Sequence, residues 1–208
     1  MFIELVELLR CIRAHDESWL VASIGEMRDR SIRTGILGCP VCSAEYPIAD
    51  GIVDFTGGAS PRPASALNIS GEELALRAGG FLNLGGGGGV VVLGGSWAAA
   101  SRDLTERVDV RVIAVNAPGD VQESAAVGLV RAADVIPLAS GSCAGVALDS
   151  SFSAAAVAAA ERVVRAGGRI VGAAEVERPA GLTLLAEDES WWVAEKPPAI
   201  TTLRRGNR

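Results

Sequence analysis

Hydrophobic and polar positions repeat with two different periods along this chain, and the periods predict helices and strands. Apolar residues at helical spacing over residues 2–10 predict a short helix that ends near Cys11. Residues 19–24 and 31–37 flank a charged turn and predict a β-hairpin. Further helices are predicted over 72–84, 98–107, 121–131 and 153–165, and strands over 90–93, 110–115, 145–148, 169–173, 182–186 and 191–194.

From residue 72 onward, predicted strands and helices alternate. This alternation predicts an α/β fold with a mostly parallel sheet covered by helices, and the last two strands predict a terminal hairpin. A stretch rich in Gly, Pro, Ser and Ala precedes the change of pattern and predicts a linker. The expected units are an N-terminal module over 1–56, a linker over 57–70, an α/β domain over 71–197 and a tail over 198–208.

Composition and charge narrow the class of protein. With 49% apolar and 21% charged residues, the chain is expected to be globular rather than disordered. The net charge is -6 and no Lys/Arg run exceeds two residues, so direct binding of nucleic acid is not expected. No apolar stretch reaches the roughly 18 residues of a membrane span, and Glu4 and Glu7 argue against a signal peptide. A cytoplasmic location without membrane binding is therefore expected.

Cysteine and histidine spacing predicts a metal site in the N-terminal module. Cys11-x3-His15 and Cys39-x2-Cys42 are two close pairs separated by a hairpin-length gap, which is the ligand supply that tetrahedral zinc requires. Four protein ligands leave no position for water, so the zinc would be structural. In the alternative interpretation Cys11 is a buried thiol, His15 is a surface residue and no metal binds.

The segment Cys39–Phe55, with the sequence CPVCSAEYPIADGIVDF, resembles part of a zinc-ribbon family. This family is the small activator subunit of tRNA and ribosome-modifying methyltransferases, and the resemblance extends over about residues 2–55. It implies a protein partner bound through the ribbon. The first half departs from the family, which has Cys-x2-Cys here, because Ala14 stands at the second thiol position. Either His15 replaces that ligand or the site is lost.

Several segments of the α/β domain resemble class I S-adenosylmethionine (SAM) methyltransferases of the kind that acts on quinones and small metabolites. Residues 90–98 are similar to the first strand and its glycine loop, and residues 112–116 to the second strand. Residues 133–149 are similar to the segment entering the fourth strand, and 155–171 to the helix, double-glycine turn and fifth strand. The resemblance implies a Rossmann-like, mostly parallel sheet of methyltransferase type and SAM as cofactor.

The same resemblance implies that Gly94, Gly95 and Asn116 contact the cofactor. The glycine loop departs from the family, because Val92 stands at its acidic position and Trp97 lies between two later glycine positions. The remaining departures are Ser96 and Ala98 for glycines, Asn116 for the acid that ends the second strand, and Cys143-Ala144 for a Phe-Asp pair.

Each of these residues also has a purely structural interpretation. In that interpretation the glycines end a strand, Trp97 fills a core, Asn116 caps a turn and Cys143 is a buried apolar residue. Asp134 and Asp149 would then be exposed turn or strand-end residues. A cavity beside Gly94 that reaches Asn116 would favour an enzyme, whereas Trp97 filling that cavity would favour a scaffold.

Two hypotheses for function follow from the departures. In the leading hypothesis the chain is a degenerate methyltransferase-like protein that serves as a non-catalytic scaffold or partner subunit, with a protein partner or a second copy. In the alternative it is an active SAM-dependent methyltransferase with a divergent loop, acting on a small molecule, RNA or protein. No histidine lies in the α/β domain, which excludes a Ser-His-Asp or Cys-His site there, and no catalytic residue is assigned.

Overall fold

A single sheet of eleven strands dominates the computed structural model, which describes residues 1–64 and 69–198. Part of the predicted linker, residues 65–68, and the predicted tail from 199 onward lie outside the described residues. No helix of the described segments is long and apolar enough to cross a membrane.

The strands are β1 (Val21–Arg28), β2 (Ser31–Gly38), β3 (Glu45–Ala49), β4 (Ile52–Asp54), β5 (Val90–Gly94), β6 (Arg111–Val115), β7 (Val127–Arg131), β8 (Cys143–Leu148), β9 (Val164–Ala173), β10 (Thr183–Glu187) and β11 (Trp191–Glu195). The α-helices are α1 (Gly71–Phe81), α2 (Ser101–Arg107) and α3 (Ala154–Val163). Short 3₁₀ helices lie at Ile3–Glu7, Leu84–Gly86 and Gly95–Ala100.

The strand order across the sheet is β1-β2-β3-β4-β7-β6-β5-β8-β9-β11-β10. The six strands from β4 to β9 in this order pair in parallel. Counted from β5, the α/β domain has the order 3-2-1-4-5 of a doubly wound, Rossmann-like sheet. The last two strands form an antiparallel hairpin whose second strand, β11, adds to β9. The predicted fold class and terminal hairpin are confirmed.

The predicted hairpin of the N-terminal module is also confirmed as β1 and β2. Its two turn residues, Asp29 and Arg30, both have left-handed backbone angles, with φ of 46° and 65°. Two consecutive left-handed residues make the tight turn whose twist matches that of the flanking strands.

The N-terminal module and the α/β domain share the sheet through β4. Ile52 lies opposite Leu129 and Val53 opposite Val130, in parallel register. Val53 and Val130 are buried, with 0% and 2% of their surface exposed, so the junction belongs to the core. The module is therefore an extension of the Rossmann-like sheet rather than an appendage on a flexible tether.

The helix predicted over 121–131 is wrong, because Val127–Arg131 is strand β7. This strand pairs with β6 on one side and with β4 on the other. A helix there would leave the backbone groups of both neighbouring strands unpaired in the core, at a high desolvation cost. Pairing across the sheet thus overrides the local spacing of apolar residues.

The helix predicted over 2–10 is likewise wrong, since only the 3₁₀ segment Ile3–Glu7 is helical. Ile3 N–H donates to the Arg30 carbonyl at 3.0 Å and Arg10 N–H donates to the Pro137 carbonyl at 2.9 Å. A helix over 2–10 would pair Arg10 N–H with the carbonyl four residues earlier, whereas here it is paired with a distant segment. The apolar residues Phe2, Leu5 and Leu9 are buried, as the helical spacing implied for one face.

Each face of the sheet has its own core. Helices α1 and α2 cover one face, and α3 shares the opposite face with the N-terminal module and residues 1–9. In the described chain the connections from β6 to β7 and from β7 to β8 hold no helix. Residues 1–9 lie against β7, where a Cβ atom on Gly128 would meet Leu5 Cδ2 at 2.7 Å and Phe2 Cε1 at 2.9 Å. They take the place of a crossover helix.

Gly128→Ala should destabilise the whole chain by about 1–3 kcal/mol, because its methyl group would force the buried Phe2 and Leu5 off the sheet. The measurement is urea unfolding followed by tryptophan fluorescence and circular dichroism. Gly119→Ala is the matched control, since a Cβ atom there meets nothing within 4 Å. Equal stability of the two variants would show that residues 1–9 do not pack on β7 in solution.

Candidate metal centre and cofactor cleft

The four predicted metal ligands meet in one cluster. The ligand atoms of Cys11, His15, Cys39 and Cys42 all lie within 4.8 Å of one another. Cys11 Sγ is 3.6 Å from Cys42 Sγ and 3.2 Å from His15 Nε2, and Cys39 Sγ is 3.4 Å from the same nitrogen. Zn–S bonds of about 2.3 Å in a tetrahedron place two sulfurs about 3.8 Å apart. The donor set and its spacing therefore fit a zinc ion.

Cys39 and Cys42 lie in the tight turn between β2 and β3. The turn is closed by Cys39 N–H donating to the Ala44 carbonyl at 2.8 Å and by Ser43 N–H donating to the Cys39 carbonyl at 3.0 Å. Burial raises the pKa of the Cys39 thiol, but backbone N–H groups of Cys42 and Val41 and the neighbouring thiols lower it to about 6 overall. The turn thus favours a thiolate, which is the form that binds metal.

His15 belongs to the cluster although Ala14 occupies the position of the usual second thiol. The His15 Nδ1 atom lies 2.6 Å from the Asp16 carbonyl, which accepts its proton and leaves Nε2 free to face the thiols. This carbonyl, followed by the Cys11 thiol, raises the pKa of His15. A backbone acceptor on one ring nitrogen is the usual way in which a metal-binding histidine is oriented.

Glu17 ties the ligand loop to the α/β domain, a role that the sequence did not indicate. Its Oε2 atom accepts hydrogen bonds from Ser140 Oγ at 2.7 Å and from Arg162 Nη1 at 3.0 Å. Burial raises the pKa of the Glu17 carboxyl, but the Ser140 hydrogen bonds and Arg162 outweigh it and the pKa is lowered. No local signal could reveal this pair, because Glu17 and Ser140 are 123 residues apart in the chain.

Gly94 and Gly95 lie at the carboxyl end of β5, beside the end of β8. The strand order reverses between these two strands, and open α/β sheets bind ligands at such a point. Here side chains of the chain itself pack against both glycines. A Cβ atom on Gly94 would lie 2.7 Å from the Phe152 ring, and one on Gly95 would collide with the Asp149 carboxylate.

Asp149 directly follows β8, which agrees with the strand-end interpretation, but it is buried, so the expected exposure is wrong. Only 1% of its surface is exposed, and its carboxylate accepts Ser96 N–H and Ser96 Oγ–H, both at 2.8 Å. Ser151 donates its N–H to the other oxygen at 3.0 Å and also its hydroxyl group. The loop after β5 is therefore hydrogen-bonded to a carboxylate from the end of β8.

The side chain of Asn116, at the end of β6, makes hydrogen bonds within the protein through both its amide nitrogen and its carbonyl oxygen. Its Nδ2 donates to the Ala132 carbonyl at 2.8 Å, and Ala132 N–H donates back to Oδ1 at 3.0 Å. A cavity of about 440 Å³ lies beside Asn116, between Leu129 and Arg131 on one side and the linker on the other. The residues that line this cavity do not include Gly94. The cavity therefore reaches Asn116 without joining the glycine loop.

Trp97 does not fill the cleft, because it lies in the core under α1. It is fully buried, and its ring centroid lies 4.9 Å from that of Trp191 and 6.3 Å from that of Phe81. The structural interpretation of Trp97 is confirmed, as is that of Cys143, which is fully buried in β8. Phe152 and Asp149, rather than Trp97, close the glycine loop.

No protein-family model matches the chain, and no curated protein matches it significantly. Similarity to solved structures is found. The similar structures include SAM-dependent methyltransferases. One is a geranyl diphosphate methyltransferase in complex with SAM, 18% identical, with a TM-score of 0.37 over 57% of this chain and 62% of that one. Another is a T. thermophilus 16S rRNA methyltransferase in complex with AdoMet and guanosine, 16% identical, with a TM-score of 0.42 over 80% and 45%.

A further similar chain comes from the complex between the Haloferax volcanii Trm112 methyltransferase activator and a methyltransferase. The match is 12% identical, covers 64% of this chain and 100% of that one, and has a TM-score of 0.47. The fold assignment rests on the strand order of the chain itself.

Asn116→Asp should destabilise the chain by about 1–3 kcal/mol, because a carboxylate cannot donate to the Ala132 carbonyl and would leave it unpaired. Urea unfolding measures the loss. Asn83→Asp is the matched control, since Asn83 has the same left-handed backbone and its side chain makes no capping hydrogen bond. If Asn116→Asp unfolds at the wild-type urea concentration and gains affinity for SAM, the side chain faces a ligand instead of Ala132.

Proposed function

We propose that this chain is a methyltransferase-like protein that has lost its cofactor site and acts as a non-catalytic scaffold or partner subunit. The proposal is supported chiefly by the contact of Asp149 and Phe152 with Gly94 and Gly95. A glycine loop serves a cofactor by leaving its backbone open to close approach. In this chain a carboxylate and an aromatic ring occupy that approach.

Reopening the loop would be costly. A buried carboxylate would have to leave the two groups of Ser96 and the two groups of Ser151 that solvate it. The Phe152 ring, 3% exposed, would also have to leave the core that it shares with Leu148. The alternative hypothesis, an active SAM-dependent methyltransferase acting on a small molecule, RNA or protein, requires both movements.

We further propose that Cys11, His15, Cys39 and Cys42 hold one structural zinc ion. Such an ion would cross-link the loop before β1 to the turn after β2, in a module too small to build a large core alone. No chemistry beyond this cross-link is assigned to it, because four protein ligands leave no position for a substrate or water. The β4 edge of the module is already paired with β7 of the same chain, so the proposed partner contacts a different surface.

Isothermal titration of the metal-loaded chain with SAM and with S-adenosylhomocysteine should give no binding heat at millimolar ligand, because Asp149 and Phe152 occupy the loop. Phe152→Ala is the variant to compare with the wild-type chain, because it removes the ring from Gly94. It should lower the free energy of unfolding by about 3–5 kcal/mol. Micromolar binding by the wild-type chain would overturn the scaffold proposal and revive the enzyme hypothesis.

The purified chain should contain one zinc ion per molecule by elemental analysis. Cys39→Ser should lose the ion and lower the unfolding temperature of the whole chain in a single transition, since the module shares its sheet with the α/β domain. Cys143→Ala, which alters a buried cysteine outside the cluster, should retain one zinc ion. A wild-type chain that neither contains nor takes up zinc would refute the proposed metal site.

A further inference from the structure

The three thiolates of the proposed centre carry more negative charge than a zinc ion neutralises, because three anionic sulfurs surround a dication. Hydrogen-bond donors that point at the sulfurs compensate for this excess charge and hold the ligands in place. Where each sulfur finds its donor therefore decides how well the site is prepared for metal.

Cys39 and Cys42 obtain their donors from the backbone. Backbone N–H groups of Cys42 and Val41 lower the pKa of the Cys39 thiol, and the N–H of Ala44 partly offsets the rise that burial and the neighbouring thiols cause in the pKa of Cys42. These N–H groups belong to the tight Cys-Pro-x-Cys turn itself, so no side-chain donor is required there. This half of the site is complete in itself.

Cys11 lies in a different local structure and uses a side-chain donor. Its own N–H donates to the Ser18 carbonyl at 3.2 Å, within the irregular loop that carries His15. Its sulfur lies 3.1 Å from the Tyr46 hydroxyl oxygen. The same oxygen accepts Ile12 N–H at 3.2 Å, from the residue next to Cys11.

The direction of the hydrogen bond between Tyr46 and Cys11 follows from these contacts. The phenol oxygen already accepts Ile12 N–H, so its own proton is directed toward the Cys11 sulfur. A metal-bound thiolate has no proton to donate and can only accept. The phenol therefore donates to the sulfur whenever metal is bound.

Tyr46 is held rigidly enough to position a ligand. It lies in β3, opposite Leu37 of β2, with 5% of its surface exposed. Its ring centroid is 4.4 Å from that of Phe55, at an interplanar angle of 34°. A phenol keeps its proton at neutral pH, so the hydroxyl is able to donate a hydrogen bond.

We propose that Tyr46 is a positioning residue of the metal centre, whose hydroxyl takes the place of the turn amides that the Cys11-x3-His15 half lacks. It orients Cys11 from the sheet side while the Asp16 carbonyl orients His15. This explains how a half-site with Ala14 in place of a thiol still brings two ligands to the cluster. The inference rests on the proposed zinc site and adds to it a residue that does not touch the metal.

Tyr46→Phe tests this role, because it keeps the ring on Phe55 and removes only the hydroxyl. The zinc dissociation constant of the purified full-length chain, measured by competition with a chromophoric chelator, should rise about 10–100-fold. With Co²⁺ in place of zinc, the sulfur-to-cobalt charge-transfer band should shift, since one thiolate has lost its hydrogen bond. A residue that only filled space would leave that band unchanged.

Ser142→Ala is the matched control. Its hydroxyl also contacts a cysteine sulfur, that of Cys143 at 3.6 Å, but this cysteine lies outside the cluster. The variant should bind zinc with wild-type affinity and give the wild-type cobalt spectrum.

A second measurement applies if Tyr46→Phe does not fold. Tyr46 is the only tyrosine of the chain, so growth on 3-fluorotyrosine modifies this residue alone. The fluorinated phenol is more acidic and donates more strongly, so zinc binding should tighten.

The outcomes separate this inference from the metal proposal. A wild-type chain that binds neither zinc nor cobalt refutes both. A wild-type chain that binds metal, with unchanged affinity and cobalt spectrum in Tyr46→Phe or unchanged affinity in the fluorotyrosine protein, refutes the role of Tyr46 alone.

Discussion

The parallel pairing of β4 with β7 is the constraint on which the rest of this structure depends. Ile52–Asp54 is a strand of three residues, yet it joins the N-terminal module to the α/β domain in one sheet. Once it is in place, residues 1–9 lie on the adjacent sheet face and Glu17 reaches Ser140. Short connections then suffice between β6, β7 and β8, because the module supplies the cover that crossover helices normally provide.

The sheet has the strand order of a doubly wound fold, and buried side chains pack against the two glycines at its switch point. Asp149 and Phe152 follow β8 and turn back over the end of β5, where they cover Gly94 and Gly95. A buried carboxylate is stable only while its hydrogen-bond donors surround it, so Ser96 and Ser151 are committed to Asp149. These contacts support the scaffold role that we propose.

The metal cluster lies where the module meets the α/β domain, and its two halves are prepared differently. Backbone N–H groups of the turn after β2 lower the pKa of Cys39, whereas the Tyr46 hydroxyl contacts Cys11 and the Asp16 carbonyl contacts His15. Glu17 connects the second half to Ser140 and Arg162 of the α/β domain. A metal ion in this cluster would therefore stabilise the junction as well as the module.

Local sequence determined the features that depend on few neighbours: the hairpin of β1 and β2, the Cys-Pro-x-Cys turn, the members of the Cys/His cluster and the alternation that predicts a Rossmann-like sheet. Spacing alone could not show that residues 127–131 form a strand or that residues 1–9 replace a helix, because both depend on the pairing of β4 with β7. Nor could it show that Asp149 bonds Ser96, 53 residues earlier. The tertiary structure decided these points, because burial and pairing between distant segments determine which conformation of each segment has the lowest free energy.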